Sequence, residues 1–280
     1  MEKRFYIVYV RLKHYHSPLS RTSSRLMSIL PSHFSLSPTT LSGKTIIVTG
    51  ASSELGSSVC YGAARAGATV IMLDRKQREL APLYDKVSEQ GWPEPMMVEF
   101  DIKRANEESI QRLASALDQQ MPVLHGLVHC AMWGAPLSPI VNSNISTWQT
   151  ILENQLLKPM MITRALIPLL KHDGQSSIVF TSLDTGRIGR AYWGGVATAF
   201  AGIENLSEIL SAEYEDHRIR VNTLDPGKVK TQLRKQFYPG EAAHELRNAN
   251  APDIVNLYLY LLSDQSNDQT GQRFTVPPIS

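Results

Sequence analysis

At 280 residues, with 42% hydrophobic and 19% charged side chains, the chain carries enough apolar material for a domain-sized buried core and too much for an intrinsically disordered protein. Its 28 Lys and Arg against 26 Asp and Glu leave a net charge of +2, which gives no electrostatic footprint for nucleic acid, and no apolar run approaches the roughly eighteen residues of a membrane span. The two cysteines, Cys60 and Cys130, have neither disulfide-framework nor zinc spacing and suit a reducing compartment, so a cytoplasmic location is expected.

Residues 1–40 differ from the rest. Lys3, Arg4, Arg11, Lys13, Arg21 and Arg25 face a single acid, Glu2, among many serines, which predicts a disordered extension. Two origins fit this composition. One is a transit peptide, which would place the protein in an organelle matrix. The other, which we prefer, is an upstream stretch preceding a start at Met27.

Structure begins near residue 41. Thr45–Thr49 is a β-branched run that stops at the small-residue turn Gly50-Ala51-Ser52-Ser53, and from Ser57 onward Val59, Tyr61, Ala63 and Ala64 recur at helical spacing. Strand, glycine turn and helix together form a phosphate-cradling start: Gly50 for the tight turn, Gly56 for close helix packing, and free amides at the helix end. Ala68 to Leu73 is a second strand, ending in Asp74 twenty-four residues after Gly50, where an acid can accept both hydroxyls of an adenosine ribose. This favours NAD over NADP, although Arg75 directly after it offers a phosphate partner.

The alternation continues. Met96 to Phe100 is followed by Asp101, then come a helix from Glu107 to Leu117 and a strand over Leu124–Cys130. A long helix, Trp148 to Leu170, precedes the strand Ser177–Thr181, and a further helix precedes Arg220–Leu224 and the turn Asp225-Pro226-Gly227. Continuous apolar strands alternating with helices predict one doubly wound α/β Rossmann domain over 41–280, a parallel sheet of about seven strands with helices on both faces.

Five landmarks in order carry a family resemblance: Thr49-Gly50-Ala51-Ser52-Ser53 with Gly56, the acid Asp74, Phe100-Asp101-Ile102, Val128-His129-Cys130-Ala131, and Asp225-Pro226-Gly227 with Val229 and Thr231. Together they resemble the short-chain dehydrogenase/reductase family over 41–280. The phrase from Val179 to Gly194 is most similar to its YciK-like bacterial branch, and a bacterial origin fits the Met27 start. The resemblance implies a cofactor cradle of Gly50, Ser52, Ser53, Leu55, Asp74, Asp101, Ile102, Cys130, Ala131, Pro226, Gly227, Val229 and Thr231.

It also implies four catalytic positions. The family uses a tyrosine acid, a lysine four residues later that lowers the tyrosine pKa, a serine thirteen residues before the tyrosine, and an asparagine. Anchored on Gly189-Arg190-Ala191, those positions fall on Val196, Phe200, Leu183 and Gln155, with Asn154 the alternative for the last. Three are hydrocarbon, and no Tyr-x-x-x-Lys occurs anywhere in the 280 residues. Glu54 replaces the middle glycine of the turn, and a carboxylate about 5 Å from a pyrophosphate costs on the order of 3 kcal/mol at an effective dielectric near 20. Met132 stands where the family phrase after the fourth strand ends in glycine. NAD binding is therefore expected to be weakened or lost.

Among replacement groups, Tyr192 is a possible substitute acid, against its reading as a loop aromatic beside Trp193. Asp184, Lys228 and Lys230 read as solvated charges, and His125 and His129 as structural residues without metal partners. The sequence thus points to a non-catalytic or weakly active family member acting in binding or assembly. The alternative is an atypical NAD(P)-dependent oxidoreductase working on a carbonyl/alcohol pair. Family likeness of the helices Trp148–Leu170 and Gly194–Leu210 implies a homodimer, or a mixed dimer with another subunit of the same fold.

Overall fold

Strands buried on both faces have no solvent side to mark, which is why their sequences read as continuous apolar runs. The computed structural model describes residues 29–278, apart from 33, 122 and 172–174. Its sheet contains β1 (Thr45–Thr49), β2 (Thr69–Asp74), β3 (Met96–Glu99), β4 (Gly126–His129), β5 (Ser176–Thr181), β6 (Ile219–Asp225) and β7 (Arg273–Thr275). All pairings are parallel, in the order β3-β2-β1-β4-β5-β6-β7. The chain winds outward from β1 to β3, then returns to β4 on the other side. A crevice therefore opens at the C-terminal ends of β1 and β4, the switch point of such sheets.

The helices are α1 (Glu54–Arg65), α2 (Gln77–Ser88), α3 (Glu107–Gln120), α4 (Ile145–Leu152), α5 (Lys158–Lys171), α6 (Gly194–Glu213), α7 (Gln232–Phe237) and α8 (Pro252–Leu262). Alternate strand residues face opposite layers. Ile46 and Val48 join Val59, Ala63, Leu257 and Leu261 under α1 and α8. Ile47 and Ile71 join Ile110, Leu166 and Ile203 under α3, α5 and α6.

Two differences from the sequence reading concern continuity and the domain start. The helix expected over Trp148–Leu170 runs from Ile145 to Lys171 but contains a π-helical turn at Glu153–Leu157. That wide turn ends two residues before Pro159, whose missing N–H removes a bond to the carbonyl four residues back. Composition places residues 29–40 in the disordered extension, yet Leu30, Phe34 and Leu36 pack on the α1/α8 core. The Phe34 ring stands edge-on to Tyr260 at 5.4 Å. The domain thus starts before residue 41. The rest of the extension, Met27 included, lies outside the described residues.

One buried cation ties the C-terminal elements together. Arg220 on β6 is 8% exposed; its guanidinium donates to the Leu261 carbonyl at 2.9 Å, the Ser266 hydroxyl at 2.7 Å and the Ser263 carbonyl at 3.2 Å. These groups lie at and just beyond the carboxyl end of α8, where a cation also meets the negative end of the helix dipole. Burial pulls its pKa down to about 10.

Candidate functional site

The turn after β1 is built so that only glycine fits. Gly50 has φ +68°, and a Cβ there would lie 2.6 Å from the Ala131 Cα; one on Gly56 would lie 2.1 Å from the Gly50 carbonyl oxygen. The Ser53 hydroxyl donates to the Gly50 carbonyl at 2.7 Å and accepts from the Gly56 amide at 3.0 Å, capping α1. The amides of Glu54 and Leu55, first in the helix, have no intrahelical partner and form an anion-binding end. That geometry fits a dinucleotide's phosphates; the Glu54 carboxylate beside it does not. It accepts instead from the Gln232 amide at 3.0 Å, linking the turn to the first residue of α7.

Beyond β5, β6 and β7 lies a cavity of about 700 Å³. Its wall mixes Leu183, Ile188, Trp193, Leu233 and Phe237 with Asp184, Arg187, Arg190 and Asp225. Behind it sits a third hydrophobic cluster of Ile151, Trp193, Val196, Ala199, Phe200 and Phe237, with Leu183 and Met132 packed against it. Val196 is 3% exposed and Phe200 2%. The cavity's inner wall is thus backed by hydrocarbon where α6 begins.

A buried ionic network crosses the same wall. Arg187 donates to Glu204 at 2.9 Å and to Asp225 at 3.1 Å; Glu204 also accepts from the Ser182 hydroxyl at 2.8 Å and faces Arg273 at 3.2 Å. Glu204 is 1% exposed. Burial pushes the Asp225 carboxyl up to about 6, opposed by the Gly227 amide and Arg187, which favour its charged form. The sequence reading missed this network. Its one local signal is the Gly186-Arg187 phrase; Glu204 looks like any polar residue of α6.

The remaining predicted residues fall as follows. Gln155 takes the Trp133 amide on its side-chain oxygen at 2.7 Å, whereas Asn154 turns back to the Thr150 carbonyl at 2.7 Å. Tyr192 is 59% exposed with φ +76° and lines a smaller pocket beside Trp148, not the main cavity. Asp101 caps its own turn, accepting from the Lys103 amide at 3.0 Å, and Ile102 is buried. Cys130 is buried and its thiol pKa rises to about 12, which leaves it inert; Ala131 backs the glycine turn. Leu55, Pro226, Gly227, Val229 and Thr231 all line the cavity. Lys228, also on the cavity wall, pairs with Glu245 at 2.7 Å. His125 accepts from the Thr45 amide at 3.0 Å; His129 stacks on Phe180 at 4.8 Å, and burial holds its pKa down near 3.

A glycine turn leading into α1, a crevice at the switch point, and a cavity beyond the carboxyl ends of the strands define an α/β protein of the doubly wound class, a fold whose ligands sit at that crevice. Residues 44–242 match the short chain dehydrogenase family model, and the chain belongs to that family. It is 33% identical over 246 residues to the uncharacterized oxidoreductase YciK of Escherichia coli K12, covering 88% of this chain and 96% of that one. Two solved short-chain dehydrogenases are also 33% identical, with TM-scores of 0.82 over 86% of this chain and all of theirs. One, from Shigella flexneri, is complexed with NADP, and the other, from E. coli CFT073, with NADPH.

Those complexes overturn the expected preference for NAD. In this chain Asp74 braces the turn. One of its carboxylate oxygens accepts from the Ser52 amide at 2.9 Å and the Ser52 hydroxyl at 2.8 Å, and the other from the Arg75 amide at 2.7 Å. The acid that sequence position assigns to a ribose braces Ser52 instead.

Proposed function

We propose that this chain is an NADP(H)-type member of the family in which the proton-transfer site has been replaced by packing, leaving a binding or assembly subunit with weak or no turnover. The observation that carries this reading is the apolar cluster joining Leu183, Val196 and Phe200, the residues we assign by position to the family's serine, tyrosine and lysine. Hydride transfer is chemistry that a bound nicotinamide supplies; the protein must bind and orient it and handle the proton. A hydrocarbon side chain does neither of the last two, and losing a positioned acid lowers rates by about 10² to 10⁴. Arg75, with a side chain 61% exposed and only a 3.4 Å contact to Glu79, is the cation we assign to a 2′-phosphate.

A second reading, slow oxidoreductase activity, rests on Asp225, a carboxyl with a pKa of about 6 in the cavity wall. Calorimetric titration of the full chain with NADP, NADPH, NAD and NADH tests the cofactor, and NADPH consumption with a panel of ketones and aldehydes tests turnover. Micromolar NADPH binding without consumption supports the binding-subunit reading; steady consumption lost in Asp225→Asn supports the second. We also propose a dimer through α5 and α6, whose outer neighbourhood exposes Leu157 and Ile209, each 46% accessible. Among the described residues no helix is long and apolar enough to cross a membrane.

A further inference from the structure

We propose that the Glu54 carboxylate is a built-in competitor of the dinucleotide phosphates, latching α7 against α1 until a nucleotide displaces it. This rests on the cofactor reading above.

Three observations carry it. First, the contact joins parts of the chain 178 residues apart: the Glu54 side chain leaves the first turn of α1 and takes the Gln232 amide at 3.0 Å. Second, that amide has no other source of satisfaction within its helix. Gln232 is the first residue of α7, and the capping hydroxyl of Thr231 is spent on the Arg234 amide at 3.1 Å. Third, α7 forms part of the cavity wall: Leu233 and Phe237 face the cavity, and the Phe237 ring lies 4.8 Å from that of Trp193. Holding the start of α7 therefore holds one side of the cavity in place.

The chemistry of displacement is simple. A carboxylate is an anion with two acceptor oxygens, and phosphate oxygens make the same demand on nearby amides. Glu54 stands at the amide end of α1, so its charge repels any phosphate approaching that end. Glu54 is also exposed, which leaves the latch open to competition from solution. A nucleotide entering here removes the Glu54 contact from Gln232, and α7 is freed as the cofactor binds. Cavity access and cofactor loading are thereby linked through one side chain.

The test compares the full-length chain with Glu54→Ala, which keeps a good helix former at the head of α1, and with Glu54→Gln, which retains an acceptor without the charge. In hydrogen exchange without nucleotide, peptides covering 231–237 should exchange at least tenfold faster in Glu54→Ala, with β-sheet peptides unchanged; equal rates overturn the latch. In calorimetry with NADPH, both variants should bind at least tenfold more tightly than the parent. Equal affinities overturn the competition while leaving the cofactor assignment standing. If none of the three proteins binds NADPH at millimolar concentration, the cofactor reading and the displacement both fall, and the exchange data alone decide the latch.

Discussion

Phe200→Lys places a cation in an interior, at the position we assign to the family's lysine. Phe200 is 2% exposed and belongs to the cluster with Ile151, Trp193, Val196 and Phe237. A Cβ on the neighbouring Gly186 would lie 2.9 Å from its backbone, so the site has little slack. An ammonium in such surroundings loses its proton rather than its burial. Neutralising a lysine of ordinary pKa, about 10.4, costs about 4 to 5 kcal/mol at pH 7, and the lost aromatic packing adds roughly 1 to 3 kcal/mol. The sign with pH follows from proton counting. The folded pKa is depressed, so the unfolded chain binds more protons between the two values, and the variant recovers about 1.4 kcal/mol per pH unit as pH rises toward 10. Urea unfolding of parent, Phe200→Lys and the packing control Phe200→Leu at pH 6, 7, 8 and 9 measures this directly. The lysine penalty should shrink by about 2.7 kcal/mol between pH 7 and pH 9. A penalty flat across that range would refute the reasoning, because it would mean that the ammonium reaches water or a carboxylate and the position is not dry.

Glu204→Gln leaves the buried Arg187 and Arg273 facing a neutral amide and should cost about 3 to 5 kcal/mol, read as a lowered urea midpoint. The Asp225 carboxyl is raised from 3.8 to about 6, so its stabilising contribution is full below about 4 and is lost as pH rises through 6. The parent should accordingly gain on Asp225→Asn as pH falls from 7 to 4, and a gap constant over that range contradicts the assigned burial. Gly56→Ala places a Cβ 2.1 Å from the Gly50 oxygen and should unfold the turn or abolish soluble protein, whereas Gly240→Ala, with nothing within 4 Å, should be silent in thermal melts. Light scattering should show a dimer that Ile209→Glu dissociates; a monomeric parent ends the assembly proposal.

The sheet was legible because β1, β2, β4, β5 and β6 are short apolar runs bounded by turn residues, and periodicity reports that directly. Four elements were not, the first being α2, which the reading passes over between its second and third strands. In α8, every residue from Leu257 to Leu262 is buried, so no polar face marks its helical period. β7 has only three residues, too few to show alternation. α7 exists largely through its Thr231 cap and contacts to the cavity, and six residues carry little helical signal of their own. The candidate cradle positions come from sequence order, whereas what their side chains hold does not. That Asp74 serves Ser52, and that Glu54 serves Gln232, depends on where side chains end in space. Charge networks were the least visible, since Arg187, Glu204 and Arg273 are spread over 87 positions with no shared local pattern.

Arg220 has a consequence for how the molecule is completed. Its acceptors at Leu261, Ser263 and Ser266 follow β6 in the chain, so a chain emerging in order from its N-terminus carries β6 with an unmatched cation until α8 closes over it. The nascent sheet therefore lacks an apolar lid and a counter-dipole at the same place, and both arrive with the same helix. A chain cut before Leu261 therefore lacks all three acceptors of the Arg220 guanidinium while keeping the strand that carries it.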